Sequence, residues 1–257
     1  MSDLFSVRDK VAVVTGGSRG IGQMIARGFV EAGAKVYISS RKADVCDAAA
    51  AELSKAGPCF SVPADLGTEA GCGQLAAQMA EREDRVHVLV NNAGANWGAP
   101  LESYPDDAFD KVLALNLKGV FHLTRLMVPL LEKAGNDDDP ARVINIGSID
   151  GLQTPTLETY AYSTSKAAVH HLTRVLAHRL AARHITVNAI APGPFESKMM
   201  HDTLERFGDA IRASCPLGRI GRADDVAGTA IYLASRASAY VTGVVLPVDG
   251  GISTRHQ

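Results

Sequence analysis

Short apolar runs alternate with longer amphipathic stretches along the chain. Lys10–Thr15, Ala34–Ser39, Cys59–Val62, Val86–Val90, Val143–Gly147, Ile185–Ile190 and Gly243–Val248 are rich in β-branched residues and end at Gly, Asp, Asn or Ser. Runs of this length, apolar at successive positions, read as strands buried on both faces. Helical patterns fill the gaps: Gln23–Ala32, Asp44–Lys55, Glu69–Glu83, Ala108–Leu131, and one from Tyr162 to Arg183. Strand and helix alternate without a linker, a repeat or a low-complexity segment. That pattern predicts an α/β fold in one domain over residues 1–257, a parallel sheet with helices on both faces.

Residues able to do chemistry fall just after the strands, where an open α/β sheet binds ligands. The first strand runs into Gly16, Gly17, Ser18, Arg19, Gly20, Ile21 and Gly22, and then into a helix. Glycines let backbone approach a pyrophosphate, and the helix N-terminus offers unpaired N–H groups. The spacing differs from GxGxxG, and an ordinary strand-to-helix turn also uses glycines; the strand-turn-helix order favours a nucleotide. After the second strand there is no Asp or Glu to meet a ribose 2′-hydroxyl. Ser40 and Arg41 stand there instead. Arg41 with Arg19 supplies two guanidinium forks for a 2′-phosphate, which favours NADP(H) over NAD(H). Asp65, before Leu66, suits an adenine amino group or a helix cap equally. Asn91, Asn92, Ala93 and Gly94 close the fourth strand, and small and amide residues there let backbone pass close to a ligand.

Asn116 sits inside a helical pattern among Val112, Leu113, Leu115, Leu117 and Val120, which predicts a buried role for a poor helix-interior residue. Ser148 follows the fifth apolar run. Tyr162 and Lys166, four residues apart, share a helix face. A nearby ammonium favours the phenolate, so Lys166 is expected to lower the Tyr162 pKa and ready the phenol for proton transfer. The acidic loop Ala134–Pro140 reads as solvated.

Composition narrows this picture. The chain has 257 residues, 46% apolar and 21% charged, with a net charge of −2 at pH 7, and so offers no electrostatic footprint for nucleic acid or an anionic membrane. No apolar run is long enough for a membrane span, and Met1–Lys10 lacks a signal-peptide core, so a cytoplasmic enzyme is expected. Cys46, Cys59, Cys72 and Cys215 show no CxxC spacing, and His170 and His171 lack a suitably spaced third ligand, so no metal is expected.

In this order the motifs resemble those of the short-chain dehydrogenase/reductase family, over essentially the full length. TGxxxGxG matches Thr15–Gly22, NNAG matches Asn91–Gly94, and YxxxK matches Tyr162 and Lys166. PGxxxT matches Pro192, Gly193, Pro194, Phe195, Glu196 and Ser197, with Ser in place of Thr. The resemblance implies a Rossmann-type, doubly wound, seven-stranded sheet of order 3-2-1-4-5-6-7. It further implies Tyr162 as general acid/base and Ser148 as the group orienting the carbonyl. Lys166 would lower the Tyr pKa and bind the nicotinamide ribose, and Asn116 would hold a relay water. The Ser197 hydroxyl would meet the nicotinamide carboxamide. A homotetramer pairing the Asn and Tyr helices is also implied.

Within the family the chain looks most like the 3-oxoacyl reductases, in particular the subgroup associated with rhamnolipid formation. It shares with that subgroup Gly17–Ala26, Asn96-Trp97-Gly98 and Leu101–Pro105. Carrier-dependent reductases present basic residues to an acidic acyl carrier protein. Arg183 matches one such place, but Asn136–Asp139 fills the other and would repel an acidic carrier. A coenzyme A thioester or a free keto compound therefore competes as substrate. A sugar-acid or polyol dehydrogenase of the same family, and a non-catalytic dinucleotide sensor, are the alternatives. Specificity is expected from Ala95–Ala99, Ile149–Thr159 and Phe195–Cys215. In the last stretch Met199, Met200, Leu204 and Phe207 suit either a lid over an acyl chain or a helix packed on the domain.

Overall fold

The seven apolar runs form seven strands: β1 (Val11–Thr15), β2 (Lys35–Ser39), β3 (Cys59–Ser61), β4 (Val88–Asn91), β5 (Ala141–Ile146), β6 (Ile185–Pro192) and β7 (Val245–Val248). This computed structural model describes residues 3–196 and 201–254, the side chains of 201–204 excepted. The strands build one sheet of order β3-β2-β1-β4-β5-β6-β7, and every neighbouring pair is parallel. Parallel strands need crossovers, which the helices α1 (Gly20–Glu31), α2 (Ala43–Leu53) and α3 (Glu69–Arg82) supply in the first half.

Alternation within the strands feeds two cores. In β1, Ala12 and Val14 pack with Ile25, Phe29 and Val30 of α1 on one face. Val11 and Val13 point the other way, toward Leu75 and Met79 of α3. The order reverses between β1 and β4, and that switch point opens a crevice at the C-terminal ends of both strands.

The stretch 108–131, expected as one helix, is interrupted. α4 (Asp106–Leu113) and α5 (Val120–Glu132) are joined by a π-helical turn, Ala114–Gly119, which contains Asn116. The wider turn lets the chain abut the third-strand loop: a Cβ on Gly119 would lie 2.4 Å from the Leu66 carbonyl oxygen. Then come α6 (Tyr160–Leu180), α7 (His201–Ser214) and α8 (Ala223–Ala234).

The acidic loop is not merely solvated. One oxygen of Asp139 accepts from Lys10 Nζ at 2.8 Å and from Arg142 Nη2 at 3.1 Å. The same two cations donate to the Ala234 and Ser235 carbonyls at 3.0 and 2.8 Å. The loop thus pins the end of α8 under the sheet, and Asp139 compensates buried charge there.

Candidate active site

Glycine geometry shapes the first part of the site. Gly16 and Gly20 have φ of +64° and +55°, a region that side chains with a Cβ avoid. A Cβ on Gly22 would lie 2.3 Å from Asn92 Nδ2 and 2.4 Å from the Gly16 oxygen, so β4 and the turn close on α1 at this point. Thr15 ties them together. Its Oγ1 accepts from the N–H groups of Asn92 and Ala93 at 2.9 and 3.0 Å, while Asn92 Nδ2 donates to the Thr15 oxygen at 2.8 Å. The N-cap of α1, Arg19, makes no side-chain cap and no acid follows in the first turn, so the positive helix end is left for an anion. Arg19 and Arg41 are exposed, and neither guanidinium pairs with a carboxylate among the described residues. A glycine cradle with two free forks fits a phosphorylated dinucleotide.

Other expected cofactor residues take more limited parts. Asp65 is exposed and accepts from the Gly67 N–H at 3.1 Å; the cap of α3 is Thr68, not Asp65. The Leu66 and Phe195 side chains are buried in the two cores, so only their backbone can face a ligand. Gly193 brings Pro192 against the end of β7, donating to the Val248 oxygen at 3.0 Å. Ser18, Ile21 and Ser40 are partly exposed along the crevice edge, with Ala93 and Gly94 beside them. Ser197, Met199 and Met200 lie outside the described residues.

α6 brings the second part together. Lys166 is buried, donates from Nζ to the Ile146 oxygen at 2.7 Å, and stands 5.5 Å from the centre of the Tyr162 ring. Burial pushes its pKa down to about 8, so it is still largely cationic at neutral pH. The Tyr162 phenol moves opposite to the expected direction. Crowding by protein pushes it up to about 12; a hydrogen bond with Ser148 pulls it down, and the charge of Asp150 raises it further. The Lys166 ammonium therefore does not outweigh desolvation of the phenolate.

Ser148 is buried at the end of β5 and caps the following turn, its Oγ accepting from the Asp150 N–H at 3.1 Å. Asn116 is held from three sides: its Oδ1 accepts from Ala95 N–H at 2.8 Å, and its Nδ2 donates to the Ala95 oxygen at 2.9 Å and to Ser165 Oγ at 3.0 Å. This side chain fastens the loop after β4 to α6, which leaves it little capacity for a water.

Beneath these groups runs a buried polar chain that sequence reasoning missed. Asn91 Nδ2 donates to Thr124 Oγ1 at 3.0 Å and to Asn145 Oδ1 at 2.9 Å; Asn145 Nδ2 donates to Thr173 Oγ1 at 2.9 Å. It links α5, β4, β5 and α6, and so sets α6 relative to the sheet. Two neighbouring polar residues, Asn91 and Asn145, at paired positions of apolar strands were the available signal. Asp150, two residues after Ser148, was missed as well; its carboxyl is pushed up by burial.

Apolar side chains stand exposed around the mouth: Trp97 and Leu101 on one loop, Leu152 and Leu157 on the other. The loops meet where Ala99 N–H donates to the Glu158 oxygen at 3.2 Å and Tyr104 packs edge-on to Tyr160 at 5.5 Å. In α7, Phe207 is exposed rather than packed on the domain.

Comparison with known proteins agrees with this geometry. The family model described as enoyl-(acyl carrier protein) reductase matches residues 16–253. The rhamnolipids biosynthesis 3-oxoacyl-[acyl-carrier-protein] reductase of Pseudomonas aeruginosa is 49% identical over 253 residues, 98% of this chain and 99% of that protein. The 2-dehydro-3-deoxy-D-gluconate 5-dehydrogenase of Bacillus subtilis is 37% identical over 258 residues, 99% of each. Among solved structures, the Pseudomonas aeruginosa RhlG/NADP active-site complex superposes with a TM-score of 0.95 at 48% identity, covering 98% of this chain and 100% of that one. With its doubly wound sheet, its glycine cradle and its Ser148, Tyr162 and Lys166 cluster, the chain belongs to the short-chain dehydrogenase/reductase family.

Proposed function

We propose that the chain is an NADP(H)-dependent carbonyl reductase that converts a 3-oxoacyl thioester to its 3-hydroxyacyl form. The observation that carries it is the convergence of two hydroxyl groups, Ser148 and Tyr162, near enough for the serine to lower the phenol's pKa, beside the Lys166 ammonium. Such a pair suits one carbonyl oxygen: Ser148 donates a hydrogen bond that orients it, and Tyr162 delivers the proton as the oxygen becomes an alkoxide. Bound NADPH would supply the hydride to the carbonyl carbon. Gly16, Ser18, Arg19, Gly20, Ile21 and Gly22 would hold its pyrophosphate, with Arg19, Ser40 and Arg41 on the 2′-phosphate. Asp65, Leu66, Asn92, Ala93 and Gly94 would line the adenine and ribose side, and Lys166, Pro192, Gly193, Phe195 and Ser197 the nicotinamide side. Use of NADP(H) is supported by the Arg19 and Arg41 guanidinium groups, which pair with no carboxylate among the described residues, and by the NADP complex of the P. aeruginosa structure.

A phenol pushed up to about 12 is protonated near neutral pH, so it is ready to donate a proton to the developing alkoxide. The acyl substrate is supported by the apolar mouth and by the activity of the 49% identical relative. The 2-dehydro-3-deoxy-D-gluconate 5-dehydrogenase relative, at 37% identity, is more distant, which weighs against a sugar-acid substrate. The acidic loop argues less against an acyl carrier protein than its sequence implies, since Asp139 is tied to Lys10 and Arg142. A homotetramer is supported by exposed Phe121 and Val175 on α5 and α6, and a cytoplasmic setting by four free cysteines.

The test follows cofactor oxidation at 340 nm with NADPH or NADH on acetoacetyl thioesters of coenzyme A and carrier protein, beside sugar ketones. Thioester turnover with NADPH preference, lost in Tyr162→Phe, is expected. Turnover of sugars alone, or full activity of Tyr162→Phe, would overturn the assignment.

A further inference from the structure

His170 lies one helical turn beyond Lys166 on α6 and is only 2% exposed. Its ring occupies space that two glycines vacate. A Cβ on Gly147 would sit 2.1 Å from His170 Nε2, and a Cβ on Gly151 would sit 2.9 Å from its Cε1. These glycines bracket Ser148 and Asp150, so the imidazole is seated directly under the turn that carries the Ser148 hydroxyl. Nε2 also accepts from the Ser148 N–H, at 3.5 Å. An accepting Nε2 requires the neutral ring with its proton on Nδ1. The surroundings supply that state: burial lowers the pKa to about 4, the Gly151 backbone opposes it in part, and the charges of Lys166 and Arg174 add smaller lowering effects. Nδ1 is buried and has no hydrogen-bond partner among the described residues. A buried polar ring with one unmet donor is costly, which asks for a reason beyond packing.

We propose that His170 is a positioning residue, the template on which the Ser148 turn is seated through the Ser148 amide and ring contact with Gly147 and Gly151. The role rests on the reading of Ser148 as the group that orients the carbonyl. It acts through Ser148, whose amide its Nε2 meets. Glutamine can offer an oxygen where Nε2 stands, whereas leucine fills the space without an acceptor.

The experiment measures kcat and KM on acetoacetyl-coenzyme A for His170→Leu and His170→Gln, each alone and combined with Ser148→Ala. Amide hydrogen exchange of the full-length chain is followed over 145–152 by mass spectrometry. His170→Leu is expected to lower kcat by about tenfold or more, with KM for NADPH within about twofold of wild type. His170→Gln is expected to recover much of that loss. In the Ser148→Ala background, His170→Leu should cost less than about twofold, because the group it positions is gone. A loss of the same size in that background, a rise in NADPH KM, or no recovery with Gln would show a general structural role and overturn the proposal. Hydrogen exchange reads the positioning role independently of turnover: faster exchange at Ser148 in Leu but not in Gln supports the template, and unchanged exchange in Leu refutes it. If the wild type fails to turn over the thioester, the substrate reading falls while exchange still decides the role of His170.

Discussion

Thr173→Val tests whether the buried amide chain holds the catalytic helix in place. Thr173 is fully buried on α6; its Oγ1 accepts from Asn145 Nδ2 at 2.9 Å and donates to the Val169 oxygen at 2.8 Å. Valine nearly preserves the shape but leaves one Asn145 N–H without an acceptor. The Val169 oxygen keeps its helical bond, so the loss concentrates on that one donor. An unmet buried donor costs ~1–3 kcal/mol. Thr173→Ser is the control: it keeps both hydrogen bonds and removes one buried methyl, at a cost of ~1 kcal/mol. Urea unfolding followed by circular dichroism, at one protomer concentration and without cofactor, gives both values. The valine variant should also lose turnover, because α6 carries Tyr162 and Lys166, while the serine variant should retain it. A valine variant within ~0.5 kcal/mol of wild type, with unchanged kcat, would refute the idea that this chain fixes α6.

Three further outcomes follow from the site. Gly22→Ala should raise the KM for NADPH by about tenfold or more, because the new methyl has nowhere to go between Asn92 Nδ2 and the Gly16 oxygen; steady-state titration of NADPH checks it. Asp150→Asn removes a charge that raises the Tyr162 pKa, so the pH profile for oxidation of a 3-hydroxyacyl thioester should move to lower pH, and a profile that stays put would discard the coupling. His170 titrates from 6.5 when unfolded to about 4 when folded. Between those values the unfolded chain binds the extra proton, so this contribution to stability is complete above 6.5 and is lost as the pH falls toward 4. The loss amounts to about 2 kcal/mol between about pH 7 and pH 5; His170→Gln should flatten that part of the urea-midpoint profile, and an equal slope in both proteins would contradict it.

The strands, the crossover helices and the glycine turn were legible in the sequence because each rests on local pattern. A β-branched run between turn residues has few alternatives to a buried strand, and Gly16 and Gly22 announce a backbone that a Cβ would block. The order of Ser148, Tyr162 and Lys166 was readable for the same reason, as spacing on one helix after one strand. The interruption at Asn116 was not, since 108–131 is apolar at helical spacing throughout. The π turn lies where Gly119 abuts the Leu66 carbonyl, which is distant along the chain.

Tertiary structure alone decided the electrostatics. Spacing put an ammonium near the phenol and implied a lowered Tyr162 pKa, but the sign depends on how much water both groups lose, and burial prevailed. The acidic loop shows the same limit. Asp139 reads as a solvated charge until the fold brings Lys10 and Arg142 to it from two strand ends. His170 reads as a spare histidine on a helix until Gly147 and Gly151 close over its ring. Local sequence determined which elements form and which motifs sit at their ends. Long-range packing determined which charges are desolvated and which side chains meet, because those depend on neighbours far apart in the chain.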